Sequence, residues 1–143
     1  MLVAALIEGN SMQTTGHFTV ARWDESTIGA DEHPKLAHAS ITNTFTGGIE
    51  AADVACEYTL VYSGDLTGAF TGIQLVRGSL DGRAGAFALQ ERGHFGTDGK
   101  IRSTFEVVPG SGTGGLTGLR GTGEYTAEHG VPAVPFTFDY ELS

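Results

Sequence analysis

Residues 68–95 read GAFTGIQLVRGSL, then DG, then RAGAFALQERGHF. Two alternating runs flank Asp81-Gly82. An Asp-Gly pair supplies the positive φ angles that a two-residue hairpin turn requires. The runs therefore read as antiparallel strands over Gly68–Leu80 and 84–95. Side chains alternate across a strand. Phe70, Gln74, Val76 and Leu80 then share one face, and Phe87, Leu89 and Glu91 share another.

The same pattern continues on both sides. Upstream, a strand over 35–46 ends at Gly47-Gly48, and Ile49–Tyr62 ends at Gly64-Asp65. Downstream, Asp98-Gly99 leads into 100–108, which Pro109 stops. A glycine-rich loop over 110–118 precedes a strand over 120–127, and Pro132 and Pro135 precede 136–142. Residues 16–23 form the first strand, followed by an acidic loop over 24–34. Cys56, Tyr58, Leu60 and Tyr62 share a face in the third strand, as do Ile101, Ser103, Phe105 and Val107 in the sixth. In the second, Leu36, His38, Ser40, Thr42 and Thr44 oppose Ala37, Ala39, Ile41, Asn43 and Phe45, and alternation alone leaves the inner set open. The segment before Met12 matches no element.

Consecutive hairpins make a meander. A sheet of eight strands curls, and closure removes its edges. Gly72 and Gly78 lie inside a strand, where glycine permits sharp bending. The expectation is an all-β chain: a closed antiparallel eight-stranded β-barrel over residues 15–143, with residues 1–14 as an N-terminal extension.

Composition agrees. Glycine makes up 22 of the 143 residues, about twice its usual share of ~7%. Only 17% of residues are charged and 40% are hydrophobic, which excludes coiled coils and charge-driven disorder. The net charge is −9. Phosphate contacts dominate nucleic-acid affinity, so an acidic chain is a poor partner for nucleic acid or anionic membrane. The single cysteine, Cys56, permits no internal disulfide and suits a reducing compartment. Met1 to Ile7 are apolar, but the run lacks a basic flank and stops at Glu8, a poor signal peptide. The address these features imply is cytoplasmic.

Chemical motifs are sparse. Gly110-Ser-Gly-Thr-Gly-Gly115 scores as GxGxxG. The dinucleotide fingerprint needs a helix next, to hold the pyrophosphate at its N-terminus. The residues that follow are too glycine-rich to form one, so the loop reads as a strand crossover. His17, His33, His38, His94 and His129 show no HxH, HxxxH or HExxH spacing, and no metal or cofactor is expected. No GxSxG elbow is present. Cys56 sits mid-strand among apolar residues and reads as a structural thiol. Trp23 reads as a barrel plug or as a stacking wall for a ligand. Glu91 shares a face with Phe87 and Leu89, and Glu57 adjoins Tyr58. A carboxyl group in an apolar lumen has a raised pKa and suits acid–base work near neutral pH.

GHFTVARWDE over 16–25, KLAHASITNTFTGGIE over 35–50, Glu57-Tyr58, GAFALQ over 85–90 and VVPGSGTGGLTGLRG over 107–121 together resemble a family of uncharacterised small bacterial proteins. The resemblance spans most of residues 15–143. It implies the allene oxide cyclase-like barrel. The run over 112–121 is also similar to a loop shared by plant allene oxide cyclases and dirigent proteins. Those plant proteins steer reactive intermediates in an apolar lumen without a cofactor, and no catalytic set carries over by position.

The functional expectation is a barrel that binds a small apolar metabolite in its lumen as a cofactor-independent cyclase, isomerase or lyase. Glu91 or Glu57 is the candidate acid or base, and His38 and Gln74 orient polar groups. Trp23, Tyr58, Phe70, Phe87, Phe105 and Tyr125 form the walls. The alternatives are a non-catalytic carrier and an interaction module with a filled lumen. A homo-oligomer, by preference a dimer, is expected in each case.

Overall fold

The computed structural model of the chain describes residues 11–142. Its strands are β1 (Ser11–Ile28), β2 (Lys35–Gly47), β3 (Ile49–Tyr62), β4 (Gly68–Leu80), β5 (Arg83–Phe95), β6 (Lys100–Val107), β7 (Thr113–Gly114), β8 (Arg120–Glu128) and β9 (Val134–Glu141). The eight long strands run β4-β3-β2-β1-β9-β8-β6-β5, and β5 pairs back onto β4. Every pairing is antiparallel, so the sheet closes into the expected barrel. The two-residue β7 lies in the crossover and pairs with Gly85 and Ala86 of β5.

The Asp81-Gly82 turn behaves as its sequence demands, with φ of 46° and 85°. β4 and β5 then pair without a break from Leu80↔Arg83 to Gly68↔Phe95.

The first strand is longer than expected at both ends. Residues 11–14 pair with β9, so they belong to the barrel. Residues 1–10 of the anticipated extension lie outside the described residues. The acidic stretch 24–28 is strand and not loop, because it pairs with residues 36–40 of β2. A bulge between Val20 and Arg22 shifts the register there. It reverses the alternation, so Phe18 and Trp23, five apart, point to the same side.

The inner face holds two apolar clusters. One gathers residues such as Phe45, Ile49, Leu80, Phe87, Phe138 and Tyr140. Leu116 and Leu119 of the glycine-rich crossover close it, both almost fully buried. The crossover thus serves as a barrel cap. The other cluster gathers Ala37, Ala39, Ile41, Cys56, Tyr58, Leu60 and Phe70, with Tyr62, Phe95 and Ile101 at its margin. The inner set of β2 is therefore Ala37, Ala39, Ile41, Asn43 and Phe45, all buried. Buried polar side chains are Asn43, Gln74, Glu91 and Ser103.

Candidate functional site

The barrel brings its buried polar side chains together on neighbouring strands. Glu91 of β5 stands level with Gly72 of β4 and Phe105 of β6. Tyr58 of β3 stands on the far side of Gly72. Any side chain at Gly72 would collide with the Tyr58 ring. Glycine there lets the phenol lie across β4 and reach Glu91. The Tyr58 hydroxyl donates to Glu91 Oε2, and Gln74 Nε2 donates to Glu91 Oε1. Asn43 Nδ2 donates to Gln74 Oε1 at 3.1 Å. The hydroxyls of Tyr58 and Tyr125 are 3.1 Å apart. Asn43 Oδ1 is buried without a partner.

Burial governs the acidity of this cluster. It raises the pKa of Glu91, against the lowering effect of hydrogen bonds from Tyr58, Gln74 and Tyr125. A buried carboxylate lacks water, so its neutral form gains. Burial also lifts the hydroxyls of Tyr58 and Tyr125, and the nearby Glu91 pushes both further. Cys56 has its thiol pushed up by burial and then by Glu91, which leaves it a neutral packing residue.

One side of the cluster faces a break in the wall. β9 pairs with β1 only from Ser11 to Phe18, so beyond Phe18 β1 has one neighbour among the described residues, β2. Trp23 stands level with the inward Ile41 yet is 45% exposed. Its ring meets the Tyr58 ring edge-on, with centroids 6.4 Å apart. Trp23 Nε1 donates to Glu25 Oε1 at 3.0 Å, and the Tyr62 hydroxyl donates to Glu25 Oε2 at 2.5 Å. Burial and Glu25 together push Tyr62 up to about 12. Lys35 Nζ lies 5.0 Å from the centre of the Tyr62 ring. A path of aromatic and polar groups thus runs from Trp23 through Tyr58 to Glu91.

The model of DUF3224, a family of proteins of unknown function, matches residues 14–140. The chain belongs to DUF3224. It is similar to a solved protein of unknown function of that family from Shewanella oneidensis MR-1, with 30% identity. The match covers 93% of this chain and 98% of that one, with a TM-score of 0.73. No curated protein matches this chain.

The structure sorts the residues that the sequence nominated in this DUF3224 barrel. Glu91, Tyr58, Gln74 and Tyr125 form the cluster, and Phe70 packs on Tyr58 with ring centroids 4.8 Å apart. Phe87 and Phe105 also face inward, but they pack around Phe138 in the capped half. Glu57 and His38 require correction. The small alanines of β2 face inward, so His38 faces outward, and Glu57 points away from the lumen beside Tyr58. They do meet, on the outer wall: His38 Nε2 and Glu57 Oε1 are 2.7 Å apart, and Ser40 Oγ donates to the same oxygen at 2.9 Å. Those bonds, His38 first, hold the Glu57 carboxyl below its usual pKa. Asn43 was missed as a site residue. Its signal was a lone amide between Ile41 and Phe45 on one strand face. Glu25 and Tyr62 were missed because the break in the wall has no local signature.

Two open grooves of about 900 and 1280 Å³ cross the barrel strands. Exposed threonines such as Thr71, Thr104 and Thr137 line both. The first also touches Phe70, Tyr125 and Phe136, and the second touches Glu57, Glu91 and Phe105. Among the described residues, no three His, Cys, Asp or Glu side chains gather in a way that could hold a metal. No helix there is long and apolar enough to cross a membrane.

Proposed function

We propose that this protein binds a small, largely apolar molecule at the break beside Trp23 and supplies a proton to one of its oxygens. The observation that carries the reading is the buried Glu91–Tyr58 pair lying behind an exposed inner-face tryptophan. Trp23, Tyr62 and Phe70 offer apolar walls beside the buried Ala37 and Ala39. A neutral Glu91 carries a hydrogen of its own. It then donates to Tyr58, and the Tyr58 hydroxyl hydrogen is freed for a ligand carbonyl or epoxide oxygen. The proton would pass from Glu91 through Tyr58 to the epoxide oxygen as one C–O bond breaks. The cation so formed, held in one conformation, would cyclise or isomerise mainly through positioning and return a proton to the Glu91 carboxylate. The resemblance to cofactor-free cyclases supports the same class by analogy.

A second reading, a non-catalytic carrier, draws on one feature: both Glu91 oxygens already have partners. A satisfied buried carboxyl is stable without any reaction. One experiment separates the two. Trp23 is the only tryptophan, so its emission reports on the break. We expect a saturable change on titration with medium-chain aliphatic ketones and epoxides. Epoxide turnover that is lost in Glu91→Gln while binding persists supports proton donation. Binding without turnover in the parent protein leaves the carrier. Emission that no compound changes removes both.

A further inference from the structure

Residues 19–28 of β1 are exposed on both faces and pair with β2 alone among the described residues. Among the described residues their other edge leaves backbone donors and acceptors unpaired, the usual template for sheet extension. Val20, Trp23 and Ile28 add exposed apolar surface along the same edge, each between 45% and 46% exposed. We propose that a second copy of this chain pairs with that edge, antiparallel, about a two-fold axis at Trp23.

The axis follows from charge and alternation. In a continuous antiparallel sheet, residues directly opposite share a face. A two-fold axis normal to that sheet must therefore pass through a residue. Four positions past the bulge bear on the charges. An axis at Arg22 sets Arg22 against its own copy. An axis at Asp24 or Glu25 does the same with two carboxylates. Only an axis at Trp23 sets Arg22 opposite Asp24 of the other copy, twice, with the two indoles facing on the inner side. Arg22 Nε already donates to Asp24 Oδ2 of its own strand at 2.6 Å, with both side chains more than half exposed. The two groups are thus held side by side on the outer face, ready to form a four-charge square. The bulge between Val20 and Arg22 falls just outside this stretch, so each copy brings one bulge and residues 22–24 pair between them. The partner's strand would also lie over the break beside Trp23.

Sedimentation velocity across a concentration series tests this on the full chain. The parent protein is expected to dimerise. Asp24→Arg and Arg22→Asp should each weaken the dimer by about tenfold or more, as two repelling cross-strand pairs imply. The double exchange should restore it. Circular dichroism checks that these surface variants fold. In a second arm, Trp23→Cys should form a symmetric disulfide under mild oxidant, since Cys56 is fully buried and out of reach. A parent protein that stays monomeric overturns the proposal. So does a dimer indifferent to the single exchanges, a double exchange that fails to restore it, or a cysteine at the axis that does not cross-link.

Discussion

The two halves of the barrel obey opposite rules. The capped half gathers Phe45, Ile49, Leu80, Phe87, Phe138 and Tyr140, and the crossover places Leu116 and Leu119 over the end. Phe138 is fully buried there, stacked near Phe87 and Tyr140 and tilted against Phe105. Even the polar atoms at that end are tied to the turn. Thr14 Oγ1 donates to Asp81 Oδ1 at 2.8 Å, and the Tyr140 hydroxyl donates to Asp81 Oδ2. In the open half β1 has no second neighbour among the described residues, and the inner face carries Trp23, Glu25 and Tyr62 at the surface with Glu91 behind. One sheet thus supplies a packed base and a rim where Trp23 reaches the surface. The difference arises from where β9 begins. Val134 pairs with Phe18, and nothing of β9 extends alongside residues 19–28.

The largest effect should come from the capped half. Phe138→Ala removes a ring with no exposed surface and should cost about 3–5 kcal/mol of stability. Urea unfolding should show it as a lower midpoint with an unchanged slope. Leu116→Ala should cost about 2–4 kcal/mol by the same cavity argument. Trp23→Ala should cost less than either, because nearly half of its surface already meets water. A Trp23 variant as damaging as the Phe138 variant would erase the contrast between the halves.

A pH series sharpens the contrast next. The folded pKa of Glu91 lies above its unfolded value because of burial. Its favourable contribution is therefore fully present below the unfolded pKa, near 4.5. It is lost as pH rises through the folded pKa, since the unfolded state then binds fewer protons than the folded one. Stability of the parent protein should fall over that window relative to Glu91→Gln, which keeps the shape and cannot ionise. Parallel pH curves for the two proteins would mean that Glu91 ionises in the fold as readily as in water.

Much of this contrast was readable in advance. Turn chemistry at Asp81-Gly82 and strand alternation gave the barrel and the inward set of β3 to β6, Glu91 and Tyr58 included. The face of β2 was not readable, because alanine and threonine are both small and neutral to alternation. Packing settled it: the alanines face Tyr58 and Phe70, and the histidine is excluded. The reach of β1 was hidden for another reason. Arg22, Asp24 and Glu25 look like loop residues, and they are tolerated in a strand because that stretch has one neighbour among the described residues and two exposed faces. Local sequence carries no sign that β9 will start late on the other side.

The smallest effect belongs to the glutamate on the outer wall, and it tests the assignment of faces most directly. Glu57 and Tyr58 are adjacent in sequence, so a one-residue slip of β3 would exchange lumen and solvent. In the present register Glu57 is exposed and bonded to His38 and Ser40. Its lowered pKa favours the fold above the unfolded value and ceases to do so as pH falls through the folded one, the reverse of Glu91. Water screens such a surface pair, so Glu57→Gln should change stability by no more than about 0.5 kcal/mol. It should leave the emission response of Trp23 to ketones and epoxides untouched, whereas under the proposed function Glu91→Gln should abolish turnover of any epoxide the parent protein consumes. Running both variants side by side reads the register of β3 through function: loss of turnover with Glu57→Gln, and not with Glu91→Gln, would put the outer wall inside.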